Sequence, residues 1–111
     1  MATHEPITDP LEVGRLVAAA VRKRHPDAAV CLFGSRARGA ATSDSDWDFK
    51  VITDYPVDGE DYCLLLNDVY AATQEVEGPI ELTVSSRKSW EKPLSRVSPF
   101  YRNLQREGIW L

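Results

Sequence analysis

The chain has 111 residues, 43% hydrophobic and 27% charged, which reads as one globular domain spanning 1–111 and excludes a disordered tail, a collagen-like repeat and a coiled coil. A chain of this length buries roughly two-thirds of its unfolded surface, so a core can form without metal or disulfide staples. The net charge of −4 argues against strong binding of long nucleic acid, and the longest uncharged apolar stretch, the six residues Ala28 to Phe33, is too short to cross a membrane.

The first predicted element starts at Asp9-Pro10-Leu11-Glu12. Asp9 caps, Pro10 suits the first helical position and Glu12 completes a capping box. Val13, Leu16, Val17, Ala20 and Val21 then repeat at helical spacing, and His25-Pro26 ends the helix. Ala28 to Phe33, stopped by Gly34, predicts a buried strand. Residues 35–45 are small and polar, a loop with room for one helical turn. From Asp46 to Thr53 the chain alternates: Trp47, Phe49 and Val51 face one side, Asp46, Asp48 and Lys50 the other. After a turn over 54–59, a helix from about Glu60 to Thr73 carries the stripe Tyr62, Leu65, Leu66, Val69 and Tyr70. Gly78-Pro79 breaks the chain. Ile80 to Ser85 predicts a third strand with Ile80, Leu82 and Val84 inward and Glu81 and Thr83 on the opposite face. A last helix runs from Ser98-Pro99 to Gly108, with Ile109 expected to close its end against Leu104 in a Schellman motif. Ile109-Trp110-Leu111 is a short edge strand or a docking tail. The order predicts an α/β (α+β) fold, a small mixed β-sheet with helices packed on one face.

Charge is uneven. Residues 1–86 carry 7 basic and 15 acidic side chains; residues 87–111 carry 6 basic and 2 acidic. The basic end suits a compact anion or an acidic partner surface, or is simply a solvated helix face. Cys31 and Cys63 both sit in apolar runs and read as buried free thiols of a reducing compartment. The amino-terminal MATHEPITDP has neither the basic nor the apolar region of a secretory signal, which points to the cytoplasm. His4 and His25 form no metal cluster with the cysteines, and no Ser-His-Asp or Cys-His arrangement is suggested.

The chemistry concentrates in Leu32-Phe33-Gly34-Ser35-Arg36-Ala37-Arg38-Gly39 and in Ser43-Asp44-Ser45-Asp46-Trp47-Asp48-Phe49. Where a strand runs into Gly34-Ser35, glycine lets the backbone come close to a ligand, and amides and a hydroxyl can cradle phosphate oxygens. Arg36 and Arg38 are candidate phosphate contacts or pair with Asp44 to hold the loop. The i, i+2 spacing puts Asp46 and Asp48 on one strand face, about 6 to 7 Å apart along the chain. Two such carboxylates can share divalent cations, and Mg²⁺ favours a few carboxylates plus substrate phosphates. Glu81, outward on a neighbouring strand, is the third acid, as a metal ligand or as acceptor of the attacking hydroxyl's proton. Lys50, on the same face, contacts a triphosphate or pairs with Glu81. Each piece alone is ordinary: Gly-Ser can be a plain turn, and most Asp-x-Asp pairs are solvated. Together they are hard to explain as solubility.

Gly-Ser-Arg-Ala-Arg-Gly followed by Ser-Asp-Ser-Asp-Trp-Asp-Phe resembles the signature of the polymerase-β-like nucleotidyltransferase superfamily, most of all its minimal nucleotidyltransferase (MNT) proteins. The match is strongest over residues 32–51. The resemblance implies a nucleotidyltransferase-like fold and a Mg²⁺- or Mn²⁺-dependent transfer of a nucleoside monophosphate, AMP from ATP, to a hydroxyl of a protein or small acceptor. It implies Gly34 and Ser35 on the triphosphate, with Asp46, Asp48 and Glu81 as catalytic and metal-binding acids. It also implies a small helical HEPN-type partner protein, neutralised by this chain as the antitoxin of a toxin–antitoxin pair, either by modification or, in the alternative, by contact alone with a vestigial nucleotide site. Glu81 departs from the usual Asp, and Trp47 stands at a usually aliphatic position. No second domain is present to grip a base or acceptor, which implies a partner subunit, a second copy or a different protein.

Overall fold

The computed structural model describes residues 5–111; His4 lies outside that range. Helix α1 spans Pro10–Arg24, strand β1 Ala29–Phe33, the single turn α2 Ser35–Arg38 and strand β2 Trp47–Thr53. Helix α3 follows at Gly59–Ala72, then strand β3 at Ile80–Ser86, three short helices α4 (Arg87–Trp90), α5 (Pro93–Arg96) and α6 (Pro99–Glu107), and strand β4 at Ile109–Trp110. The sheet order is β3-β2-β1-β4. β1 runs antiparallel to β2 and β4, and β2 and β3 run parallel. This is the mixed sheet with helices that the sequence predicts.

Local chemistry sets the elements. Asp9 accepts from the amide of Glu12 at 3.0 Å and Pro10 opens α1, which satisfies an amide that no helical carbonyl can reach. Asp58 does the same for α3 through the amide of Asp61, at 2.8 Å. The alternation of β2 sends Trp47, Phe49 and Val51 into a core shared with Val13, Val17 and Val21 of α1 and Leu65 and Val69 of α3. Burying side chains of this size stabilises by about 1.5–3 kcal/mol each. The indole N–H of Trp47, carried inside with its ring, donates to the carbonyl of Glu77.

The two long helices lie on one face, but the last helix, expected to join them there, packs on the other. The opposite face carries a second, smaller cluster, in which Cys31 and Ile52 meet Trp90 of α4 and Leu104 of α6. Helices α4 and α5 fall in residues 87–97, where the sequence shows no helical stripe; at four residues each they have no room for one. Two further expectations change. Cys63 is exposed while Cys31 is buried, both as free thiols, because Cys63 lies about 200° around α3 from the inward Leu65. Gly108 is not left-handed: at φ −70°, ψ 149° it runs straight from α6 into β4. Its smallness is needed for space, since a Cβ there would sit 2.4 Å from Cys31 Sγ and 2.6 Å from the Leu104 carbonyl oxygen. Ile109 then packs on the main core instead of against Leu104, which belongs to the other cluster.

Candidate functional site

Three strand ends make the site. β1 ends at Phe33, whose partner across the antiparallel ladder is Asp48. The next residue, Gly34, therefore lies beside the Asp48 side chain. Gly34 has φ +79°, and a Cβ on it would fall 2.5 Å from Asp48 Oδ2. Only glycine meets both demands. Ser35 opens α2, and Gly39, at φ +73°, closes it with its amide on the Ser35 carbonyl.

The parallel register of β2 and β3 sets Asp48 against Glu81. Asp46, two residues earlier than Asp48, falls on the same face. The three side chains each bring a carboxylate oxygen to within 4.8 Å of the others. The extra methylene of Glu81 does not keep its carboxylate out of the group. The pKa of Asp48 rises from 3.8 to about 6, first through burial, then through a hydrogen bond with Glu81 and the charges of Glu81 and Asp46. Among the described residues, no lysine, arginine or histidine forms an ion pair with any of the three. A crowd of like charges without a cationic side chain, made only of hard oxygen donors, suits a divalent cation of the Mg²⁺ or Mn²⁺ kind.

The remaining candidate residues go to different places. Lys50 shares the acids' face but reaches down the strands, away from Glu81. Its Nζ donates to Ser85 Oγ at 2.5 Å and lies 4.9 Å from the centroid of Trp90. The residue is only 2% exposed, and burial lowers its pKa. Arg36 is buried, and its guanidinium donates to the carbonyls of Ser45, Ser43 and Glu77 while covering the Trp47 ring at 4.2 Å. It holds the loop through main-chain oxygens, without Asp44. Arg38 stays half exposed, 3.8 Å from Glu107 of α6. Sequence reasoning missed Tyr62 of α3, whose hydroxyl donates at 2.8 Å to the Leu82 carbonyl and so ties the edge strand next to Glu81. It appears in the sequence only as one member of an apolar stripe.

Acids converging beside a glycine-serine bend, able to hold a divalent cation, fit the class of transferases that work on polyphosphates. A family model described as "Nucleotidyltransferase domain" matches residues 15–104. The chain belongs to the nucleotidyltransferase-domain family. A candidate nucleotidyltransferase from Sulfolobus solfataricus, known as a crystal structure, shares the fold with a TM-score of 0.53 at 15% identity, over 98% of this chain and 90% of that one. No curated protein matches. Among the described residues no helix is long and apolar enough to cross a membrane.

Proposed function

We propose that the chain transfers a nucleoside monophosphate, AMP from ATP, to a hydroxyl of a protein acceptor, and that it acts in the cytoplasm as the antitoxin of a HEPN/MNT pair. The observation that carries the transfer reading is the convergence of Asp46, Asp48 and Glu81 within 4.8 Å beside Gly34. The protein identity of the acceptor rests on the resemblance, together with the basic residues of segment 87–106 as a surface for an acidic partner.

In this reading Asp46, Asp48 and Glu81 hold the divalent cation, which when bound neutralises charge on the triphosphate and on the leaving pyrophosphate. Gly34 and Ser35 admit the phosphate tail close to the main chain, with Arg38 at the rim. Arg36 acts on the site by fixing the loop that leads to Asp46. The acceptor oxygen attacks the α-phosphorus, the bond from that phosphorus to the α,β-bridging oxygen breaks, and pyrophosphate leaves. Glu81, exposed at the edge strand, takes the hydroxyl proton in this reading. Catalysis here is positioning and electrostatics.

The test is incubation with each labelled nucleoside triphosphate and Mg²⁺ or Mn²⁺, with and without the product of the neighbouring gene. Label from ATP on the partner, lost in Asp46→Asn, is the expected result; equal labelling by wild type and Asp46→Asn overturns it. An antitoxin acting by contact alone would still neutralise its partner fully as the Asp46→Ala/Asp48→Ala double variant.

A further inference from the structure

Beyond the acids, the same sheet face opens into a cavity of about 430 Å³. Its floor is Lys50 and Thr83, a register pair two residues further along the strands than Asp48 and Glu81, or about 7 Å away. Its walls include Ser85, Trp90 and Phe100, with Leu94, 85% exposed, at the rim. Trp90 and Phe100 meet edge to face at 6.0 Å and 83°, forming an aromatic corner. The Lys50 ammonium sits over both rings, 4.9 and 5.7 Å from their centroids.

Lys50 is the unusual part. An ammonium has three N–H donors, yet among the described residues the hydrogen bond it makes is the one to Ser85 Oγ, and no described carboxylate pairs with it. Buried charge of this kind calls for acceptor atoms. Aromatic walls call for a flat, apolar-faced group. A nucleobase supplies both, a π-face and in-plane ring nitrogens or carbonyl oxygens.

Placement separates the base from the other reactant. In a displacement at phosphorus the attacking and leaving oxygens lie roughly in line. With the phosphate tail at the end of β1, beside Gly34, and the acids on β2 and β3, that line runs across the sheet from β1 toward the β3 edge. The acceptor belongs at the β3 end of this line. The cavity lies off it, along the strands. We propose that this cavity is the nucleobase subsite, with Lys50, backed by Trp90, donating to an acceptor atom of the base and the more exposed Phe100 and Leu94 bearing on its apolar surface. The proposal rests on the transferase reading, and it moves Lys50 from the triphosphate to the base.

The test is equilibrium binding, with Mg²⁺ and no acceptor, of the four nucleoside triphosphates and of inorganic tripolyphosphate to wild type, Lys50→Met and Phe100→Ala. Thermal melts confirm that the variants are folded. We expect wild type to bind at least one nucleoside triphosphate tenfold or more tightly than tripolyphosphate. Each variant should lose most of that difference and keep its tripolyphosphate affinity. Wild type that binds tripolyphosphate as tightly as every nucleoside triphosphate would overturn the subsite and leave the transferase reading standing, as would variants that weaken both ligands equally. Wild type that binds none of these ligands would overturn both.

Discussion

Replacing Asp48 by Asn should make the metal-free protein more stable and blind to divalent cations. The Asp48 carboxyl has a pKa of 3.8 when unperturbed and about 6 in the folded chain. The folded state therefore holds a proton that the unfolded state has released between about pH 4 and 6, and stability falls as pH rises through that window. Above it the full penalty applies. At 1.36 kcal/mol per unit that penalty is about 3 kcal/mol; Asp48 is only partly buried, and solvent screening reduces it to about 1 kcal/mol. At pH 7 and without metal, Asp48→Asn should melt roughly 4 °C above wild type. At pH 4 the gap should close. Saturating Mg²⁺ or Mn²⁺ should reverse the order, because ligand at 100 times its dissociation constant adds about 2.7 kcal/mol to a protein that binds it. The assay is a set of thermal melts at pH 4, 5, 6 and 7 with EDTA or with added cation. An Asn variant less stable than wild type at pH 7 in EDTA, or one that responds to cation as wild type does, would refute the repulsion argument.

Gly34→Ala puts a Cβ at positive φ and 2.5 Å from Asp48 Oδ2; displacing that carboxylate by about 1 Å should cost on the order of 100-fold in transfer rate, read by initial rates on folded protein. Arg36→Met leaves the carbonyls of Ser43 and Ser45 without their guanidinium donor and that of Glu77 with the Trp47 indole alone, a loss of about 3 kcal/mol by urea denaturation, since bonds to charged groups are the stronger kind. Of the two thiols, Cys63 should react promptly with a disulfide reagent and Cys31, pushed up to about 12 by burial, only on unfolding.

Much of the site was legible because it depends on period and register. Alternation over 46–51 was enough to put Asp46 and Asp48 on one face and Trp47 and Phe49 on the other. The Gly34-Ser35 punctuation after a strand marked the bend. What could not be read depends on distant cover. Lys50 lies where alternation puts it, but its direction is set by Ser85 and by Trp90 and Phe100, which arrive from α4, a single turn without a stripe, and from α6, far along the chain. Arg36 looks like a phosphate ligand until the carbonyls of residues 43, 45 and 77 are seen around it. Gly108 reads as a left-handed cap, whereas its role is the close approach of Cys31 from another strand. Cys63 sits in an apolar run, yet α3 turns it outward. For Lys50, Arg36 and Gly108 the local pattern was present and a contact elsewhere along the chain decided its meaning; for Cys63 helical phase alone decided it.

The central claim is that this acidic face moves a nucleotidyl group. It is tested most directly with ATP labelled at either the α- or the γ-phosphate, offered with Mg²⁺ and the partner protein to wild type and to Asp46→Asn. The account predicts acceptor label from α-labelled ATP alone, with pyrophosphate released in equal amount and neither product formed by the variant. Transfer of the γ-label, or undiminished α-label transfer by Asp46→Asn, would contradict it.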